Sequence, residues 1–252
     1  MTGGVTGSGK RCRAPFTCRS SRRGSQAIAA ADPDDVRESY HEQLDELTAS
    51  LVGLGARVGS AMGRATQALL DADLALAEQV IADDALIDAF TAEVETRAFE
   101  LLVTQQPVAG DLRTIVTSLR IVSDLERAGD YARHVAAVAR RRYPAGAVPA
   151  ELRGVVVEMG QLAQRILAKT CSAVASRSIR LAIEVEQDDD LVDNLHKQLF
   201  AVLLDDEWDG GVEAAVDVVL CGRYYERCAD HAVSVARQVP FLVTGISAPA
   251  PT

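Results

Sequence analysis

The chain has 252 residues, 48% hydrophobic and 4% aromatic, enough for a core built mostly from Leu, Val, Ile and Ala. Its formal net charge is −10, and because residues 1–31 hold six Lys or Arg and no acid, the rest of the chain carries −16. That field repels nucleic acid and attracts cations or basic protein surfaces, and no apolar run approaches the roughly 18–20 residues of a transmembrane helix, so a soluble protein without direct DNA binding is expected.

Residues 1–35 are rich in Gly, Ser and Arg, lack periodicity, and are expected to form a disordered basic tail. The tail contains "GVTGSGKR", close to a phosphate-binding loop at Gly4, Gly9 and Lys10, but Arg11 replaces the hydroxyl residue that would hold magnesium. No strand pattern precedes the string and no helix pattern follows it, so the match is rejected.

Helical periodicity begins at Val36. Leu44, Leu47, Leu51, Leu54 and Val58 are spaced 3, 4, 3, 4, an apolar seam that continues to Leu69. Asp71 or Asp73 offers a cap, and a second helix follows to about Gln105, with Val80, Ile87, Val94 and Leu101 every seven residues. Pro107 breaks it. A third helix starts with Asp111 in its first turn and ends at Arg140, Arg141 and Arg142, both placements that suit the helix dipole. The plan then repeats. A fourth helix is predicted over about Glu151–Ser176, and a fifth over about Ser178–Asp205 with Val185, Val192 and Leu199 in its seam. A sixth runs over about Val212–Val239 and is expected to end at Pro240. Short connections make neighbours antiparallel. The expected fold is all-α: two tandem antiparallel three-helix bundles, over residues 36–143 and 150–240, with a flexible C-terminal tail over 241–252.

Five cysteines is an odd number. Cys221 and Cys228 are two helical turns apart, about 10.5 Å, beyond the roughly 7 Å limit of a disulfide. Small buried thiols in a reducing compartment are expected.

Two strings recur. "LERAGDYARHVA" at Leu125–Ala136 is answered by "YERCADHAVSVA" at Tyr225–Ala236, and "DDALID" at Asp83–Asp88 by "DDDLVD" at Asp188–Asp193. In the third helix Ile121, Leu125, Ala128, Ala132, Val135 and Ala139 form the core seam, matched in the sixth by Cys221, Tyr225, Cys228, Ala232, Val235 and Val239. Glu126 and Asp130, and likewise Glu226 and Asp230, lie on the opposite side. Acids at i and i+4 repel by about 0.2–0.5 kcal/mol in an isolated helix. A multivalent cation would relieve this, since carboxylates one turn apart can share or bridge ions. If second and third helices pack side by side, Asp84 and Asp88 approach Glu126 and Asp130, and Asp189 and Asp193 approach Glu226 and Asp230. A solvated acidic face remains the other reading of the same spacing. His134 extends the first stripe but has Ser234 as its counterpart. A carboxylate-bridged metal enzyme or metal-storage bundle is the rival class. Its site needs Glu-x-x-His twice, and the chain supplies it once, at Glu38 and His41.

The strings "QPVAGDLR", "LERAGDYARHVA" and "YERCADHAVSVA", with "VRESYHEQLDEL" and "DDALID", resemble the PhoU family from Val36 to about Val239. The resemblance implies pseudo-twofold symmetry of the two bundles and metal ions held at Glu126, Asp130, Glu226 and Asp230, with the second-helix acids Asp84, Asp88, Asp189 and Asp193 following by position. The ions implied are a multinuclear iron cluster or other divalent cations such as zinc, manganese or magnesium. It further implies a non-enzymatic, homodimeric, cytoplasmic regulator recruited to the inner membrane face. Such a regulator restrains phosphate uptake and the phosphate-starvation response through a phosphate ABC transporter ATPase and a phosphate-sensing histidine kinase. "QPVAGDLR" has no copy in the second half, so the two metal faces are expected to differ. Family chains commonly open with Met-Arg-Glu, so "VRESY" suggests a native start at Val36, with residues 1–35 an upstream translation.

Overall fold

The computed structural model describes residues 3–4 and 33–246, and the described residues form six long helices and one short 3₁₀ turn. They are α1 (Pro33–Asp71), α2 (Leu74–Gln105), α3 (Ala109–Arg142), a 3₁₀ turn (Ala150–Leu152), α4 (Arg153–Ser176), α5 (Ile179–Leu203) and α6 (Gly211–Thr244). The fold is the all-α pair of three-helix bundles that the sequence pattern predicts. The expected disorder of the basic tail and the near-match to a phosphate loop fall almost wholly outside the described residues. The helix already runs at Pro33, three residues before Val36. Proline suits a first helical position, where its missing N–H has no partner to lose.

Local chemistry sets the ends. Asp73 caps α2, its Oδ1 accepting from the Leu76 amide at 3.0 Å. Gln106 turns left-handed (φ 47°) and Pro107 then prevents continuation. Ser178 caps α5 by accepting from the Leu181 amide at 3.3 Å.

One expectation at the other end is corrected. Pro240 does not stop α6, which runs on to Thr244 and ends at Gly245 in the left-handed region (φ 76°). Residues 241–244 are therefore helix rather than flexible tail. The proline forfeits one backbone bond, while the added turn buries Leu242 and brings Phe241 beneath the Arg120 guanidinium, 6.0 Å from the ring centroid.

The heptad seams point inward as expected. Leu47, Leu54, Val58, Val185, Val192 and Leu199 are fully buried, as are Cys221, Tyr225 and Cys228 of the α6 seam. Cys171, Cys221 and Cys228 are free and buried. Burial pushes the Cys228 thiol up to about 12 and Cys171 to about 11, which keeps both protonated and unreactive.

The two bundles share one continuous apolar cluster. Across the divide α1 packs on α4 and α3 on α6, pairing equivalent helices about a pseudo-twofold axis. Close α1–α4 approach depends on glycine: a Cβ on Gly160 would come within 2.6 Å of Thr66 Cγ2, and one on Gly55 would strike Cys171 Sγ. At the α3–α6 contact, Asp124 Oδ1 lies 3.0 Å from His231 Nδ1, and Ser234 donates to Asp124 Oδ2 at 2.7 Å. The positions one hundred residues away repeat the contact with different chemistry. Tyr224 stacks on Tyr131 (6.2 Å) and on His134 (5.1 Å). Tyr131 and His231, equivalent to each other, stack at 5.8 Å.

Candidate functional site

The repeated strings divide their acids by helical phase. Asp83 turns toward α1, where Arg64 donates to it at 2.7 Å, and Asp188 does the same with Lys169 of α4 at 2.6 Å. One residue later, Asp84 and Asp189 face α3 and α6. The side-by-side packing of α2 on α3 and α5 on α6 thus brings the acids of each half into mutual electrostatic reach.

In the first half, burial raises the Glu126 carboxyl, and the charges of Asp130, Asp88 and Asp84 raise it further against the opposing pull of Arg127. Asp84 is also raised, first by burial and then by Asp88 and Asp130, with Arg133 opposing. Arg133 is the residue that spacing did not anticipate. Its Nε lies 2.7 Å from Asp84 Oδ2, and its Nη2 donates to Asp130 Oδ1 at 2.7 Å, so one guanidinium ties α2 to α3 across the acids.

The second half holds the equivalent acids with different counter-charges. Glu226 Oε2 lies 3.0 Å from His196 Nδ1 and 2.6 Å from Arg223 Nη1, neither contact being aligned as a hydrogen bond. Arg227 holds Asp230 along the same helix at 3.0 Å. Asp189 is left over: its Oδ1 is buried with no hydrogen-bond partner. Burial, followed by the charges of Asp230, Asp193 and Asp190, pushes its carboxyl up to about 6 against the opposing pull of Arg237.

These donors are carboxylate oxygens with one imidazole at the edge of the second set, a chemistry that suits hard or borderline divalent cations. Among the described residues, no three Asp, Glu, His or Cys side chains converge on one point in the positions they hold, so ligation of a single ion requires rotamer changes. On the second face a buried oxygen of Asp189 has no hydrogen-bond partner and so an unmet need for positive charge, although Arg223, His196 and Arg227 already sit on Glu226 and Asp230 and Arg237 opposes the rise at Asp189. On the first face Arg133 already meets part of that need.

The remaining candidates fall elsewhere. His134 is taken up in the stack with Tyr131 and Tyr224. Glu38 and His41 are exposed near the start of α1. The trio of Asp124, His231 and Ser234 is not a nucleophile arrangement, since Ser234 donates to the aspartate instead of to the imidazole. Arg133 and His196 left one signal in the sequence. Each occupies a place where the copies disagree, with Val233 answering Arg133 and Thr91 answering His196.

Fold and site together define a duplicated six-helix protein with a carboxylate-lined face on each half. The sequence model of the PhoU domain matches residues 51–139 and again 156–239. The chain is 50% identical over 210 residues to the phosphate-specific transport system accessory protein PhoU homolog 2 of Mycobacterium tuberculosis, covering 83% of this chain and 99% of that one. It is also 50% identical over 210 residues to PhoU homolog 1 of Mycobacterium leprae, covering 83% and 95%. The crystal structure of PhoU from Pseudomonas aeruginosa superposes with a TM-score of 0.72 at 29% identity, covering 82% of this chain and all of that one. The chain belongs to the PhoU family. No helix among the described residues is long and apolar enough to cross a membrane.

Proposed function

We propose that this protein is a metal-binding regulatory adaptor of phosphate transport, which restrains phosphate uptake and the phosphate-starvation response while phosphate is plentiful. The observation that carries the reading is half-identity, over nearly their whole length, to relatives named as accessory proteins of the phosphate-specific transport system. The strongly acidic body supports a basic protein surface as its target, and the transporter ATPase and the phosphate-sensing histidine kinase are the proposed partners. The protein would act in the cytoplasm at the inner membrane face, as a homodimer and without catalysis of its own.

Asp189, Asp193, Glu226 and Asp230 would hold metal on the second half, and Asp84, Asp88, Glu126 and Asp130 are their counterparts on the first. Bound iron, zinc, manganese or magnesium would supply positive charge between α5 and α6 and lock the helix pair. The chain's own contribution is to gather the acids, shelter one oxygen of Asp189 and hold Glu226 through His196 and Arg223.

The test is a chromosomal deletion carrying a phosphate-starvation promoter fused to a reporter, grown in phosphate-rich medium. Deletion should switch the reporter on, the wild-type copy should silence it, and a copy with Glu226→Ala and Asp230→Ala should fail to do so. A reporter that stays silent in the deletion strain would sink the regulatory reading.

A further inference from the structure

The duplication repeats more than acids. Phe99 of α2 and Leu204 at the end of α5 stand fifteen residues beyond Asp84 and Asp189, and Leu112 of α3 and Val212 of α6 stand fourteen before Glu126 and Glu226. These equivalent positions hold large apolar side chains turned to solvent: Phe99 is 56% exposed and Leu204 80%, Leu112 41% and Val212 80%. Val103 and Val216, one turn beyond Phe99 and Val212, are exposed as well. Scattered exposed apolar residues are ordinary, but the same pair at the same place in each half is a repeated surface. Core packing does not account for it, since these side chains stand outside the buried cluster.

Each patch lies where the second helix of its half turns into the third. At 100° per residue the patch positions fall within about 40–60° of the acids on their own helices, so they share the acid-bearing side. The helices α3 and α6 run antiparallel. Arg142 at the end of α3 meets Glu213 at the start of α6, while a Cβ on Gly245, just past the end of α6, would come within 3.1 Å of Arg113 Nη1 near the start of α3. The two patches therefore lie at opposite ends of the pair, separated by about 45 Å of helix.

A surface repeated about an approximate twofold axis is matched by a partner with a twofold axis of its own. A second copy of this chain suits it less. The turn after Leu204 carries Asp205, Asp206, Glu207 and Asp209, and the neighbouring Arg141 and Arg142 are committed to Asp217 and Glu213. A copy would bring its own acidic body against that turn, whereas a surface with a basic rim is attracted to it.

We infer that the two patches form a bivalent dock for one homodimeric protein, which presents an apolar socket with a basic rim on each subunit. This rests on the adaptor reading above and gives that adaptor its geometry: one chain straddles the partner's axis, each half holding one subunit. Contact at one end makes contact at the other intramolecular, so the pair binds far more tightly than either end alone.

The experiment titrates the full chain against the detergent-purified transporter complex with its two ATPase subunits and, separately, against the detergent-purified histidine kinase. Affinity is measured by surface plasmon resonance and the mass of each complex by light scattering. Wild type should bind at least one of them at one chain per two partner subunits. Phe99→Ala/Leu112→Ala and Leu204→Ala/Val212→Ala should each weaken that binding by about a hundredfold, and the four changes together should abolish it. Circular dichroism and the mass of the chain alone should be unchanged in all three variants. One chain per partner subunit, wild-type affinity in either variant, or a chain homodimer that the variants dissociate would overturn the inference, the last by assigning the patches to a second copy. Each of these leaves the regulatory reading to its reporter test. Failure of wild type to bind either partner would overturn both the inference and the partners proposed above.

Discussion

At Asp189 the carboxyl is lifted to about 6 from an ordinary value of 3.8, by burial first and by Asp230, Asp193 and Asp190 after it. A raised folded pKa means the folded state holds the proton more tightly than the unfolded chain does. The resulting stabilisation is complete below about 3.8 and is lost as pH rises through about 6. Metal-free protein should therefore lose stability across that window through this group, and Asp189→Asn should flatten that part of the profile. Urea midpoints measured in chelator over the same range would show it, and an unchanged slope in the variant would count against the assignment. Cations compete with the same proton, so their affinity should fall below about pH 6. Much of this site was legible from spacing. Glu126 and Asp130 share a stripe because i and i+4 face one way, and the approach of Asp84 and Asp189 was legible only on the condition that the second helix of each half packs beside the third. Arg133 and His196 were not legible. Spacing fixes the face from which a side chain departs, but not where a long or planar group swings to meet the neighbouring helix.

Among the elements, helix starts follow local chemistry closely enough to predict from. Asp73→Ala removes the acceptor for the Leu76 amide and should cost about 1 kcal/mol. Two glycines separate the competing effects of alanine in a helix. Gly53 in α1 has no atom within 4 Å of a built Cβ, so Gly53→Ala should stabilise by about 0.5–1 kcal/mol through helix propensity alone. Gly160 in α4 lies against Thr66, whose Cγ2 and Oγ1 both fall 2.6 Å from a built Cβ. There overpacking, about 1–3 kcal/mol, should outweigh the propensity gain and make Gly160→Ala destabilising. Urea denaturation of the two variants should shift in opposite directions. The seams were readable because every seventh-residue apolar position had to find the core. Pro240 misled because a proline predicts the loss of one backbone bond, while what the following turn recovers depends on Leu242 and Arg120, contacts distant in sequence.

Across the whole molecule, the two halves are bound into one body by contacts that periodicity does not encode. Asp217, 4% exposed on α6, is held by both Arg141 and Arg142 at the end of α3. Asp217→Ala should cost about 1.5–3 kcal/mol, since it strips charged hydrogen bonds from a buried acceptor's partners. A smaller loss in the urea midpoint, equal to that of an exposed substitution, would show the contact to be ornamental. The sequence revealed the duplication through matched strings, yet the contact between copies was hidden because its equivalent positions diverge: Asp124 with His231 and Ser234 on one side, Tyr224 with Tyr131 and His134 on the other. Symmetry is kept in the helices and spent in the side chains, so Arg133 spans the first acid face while Arg223, His196 and Arg227 attend the second. The most direct test of metal binding as the purpose of these faces is elemental analysis of protein purified from its own host without chelator, beside the Glu226→Ala/Asp230→Ala variant prepared identically. Metal in the wild type that is lost from the variant is the expected result; a metal-free wild type, or equal metal in both, would contradict it.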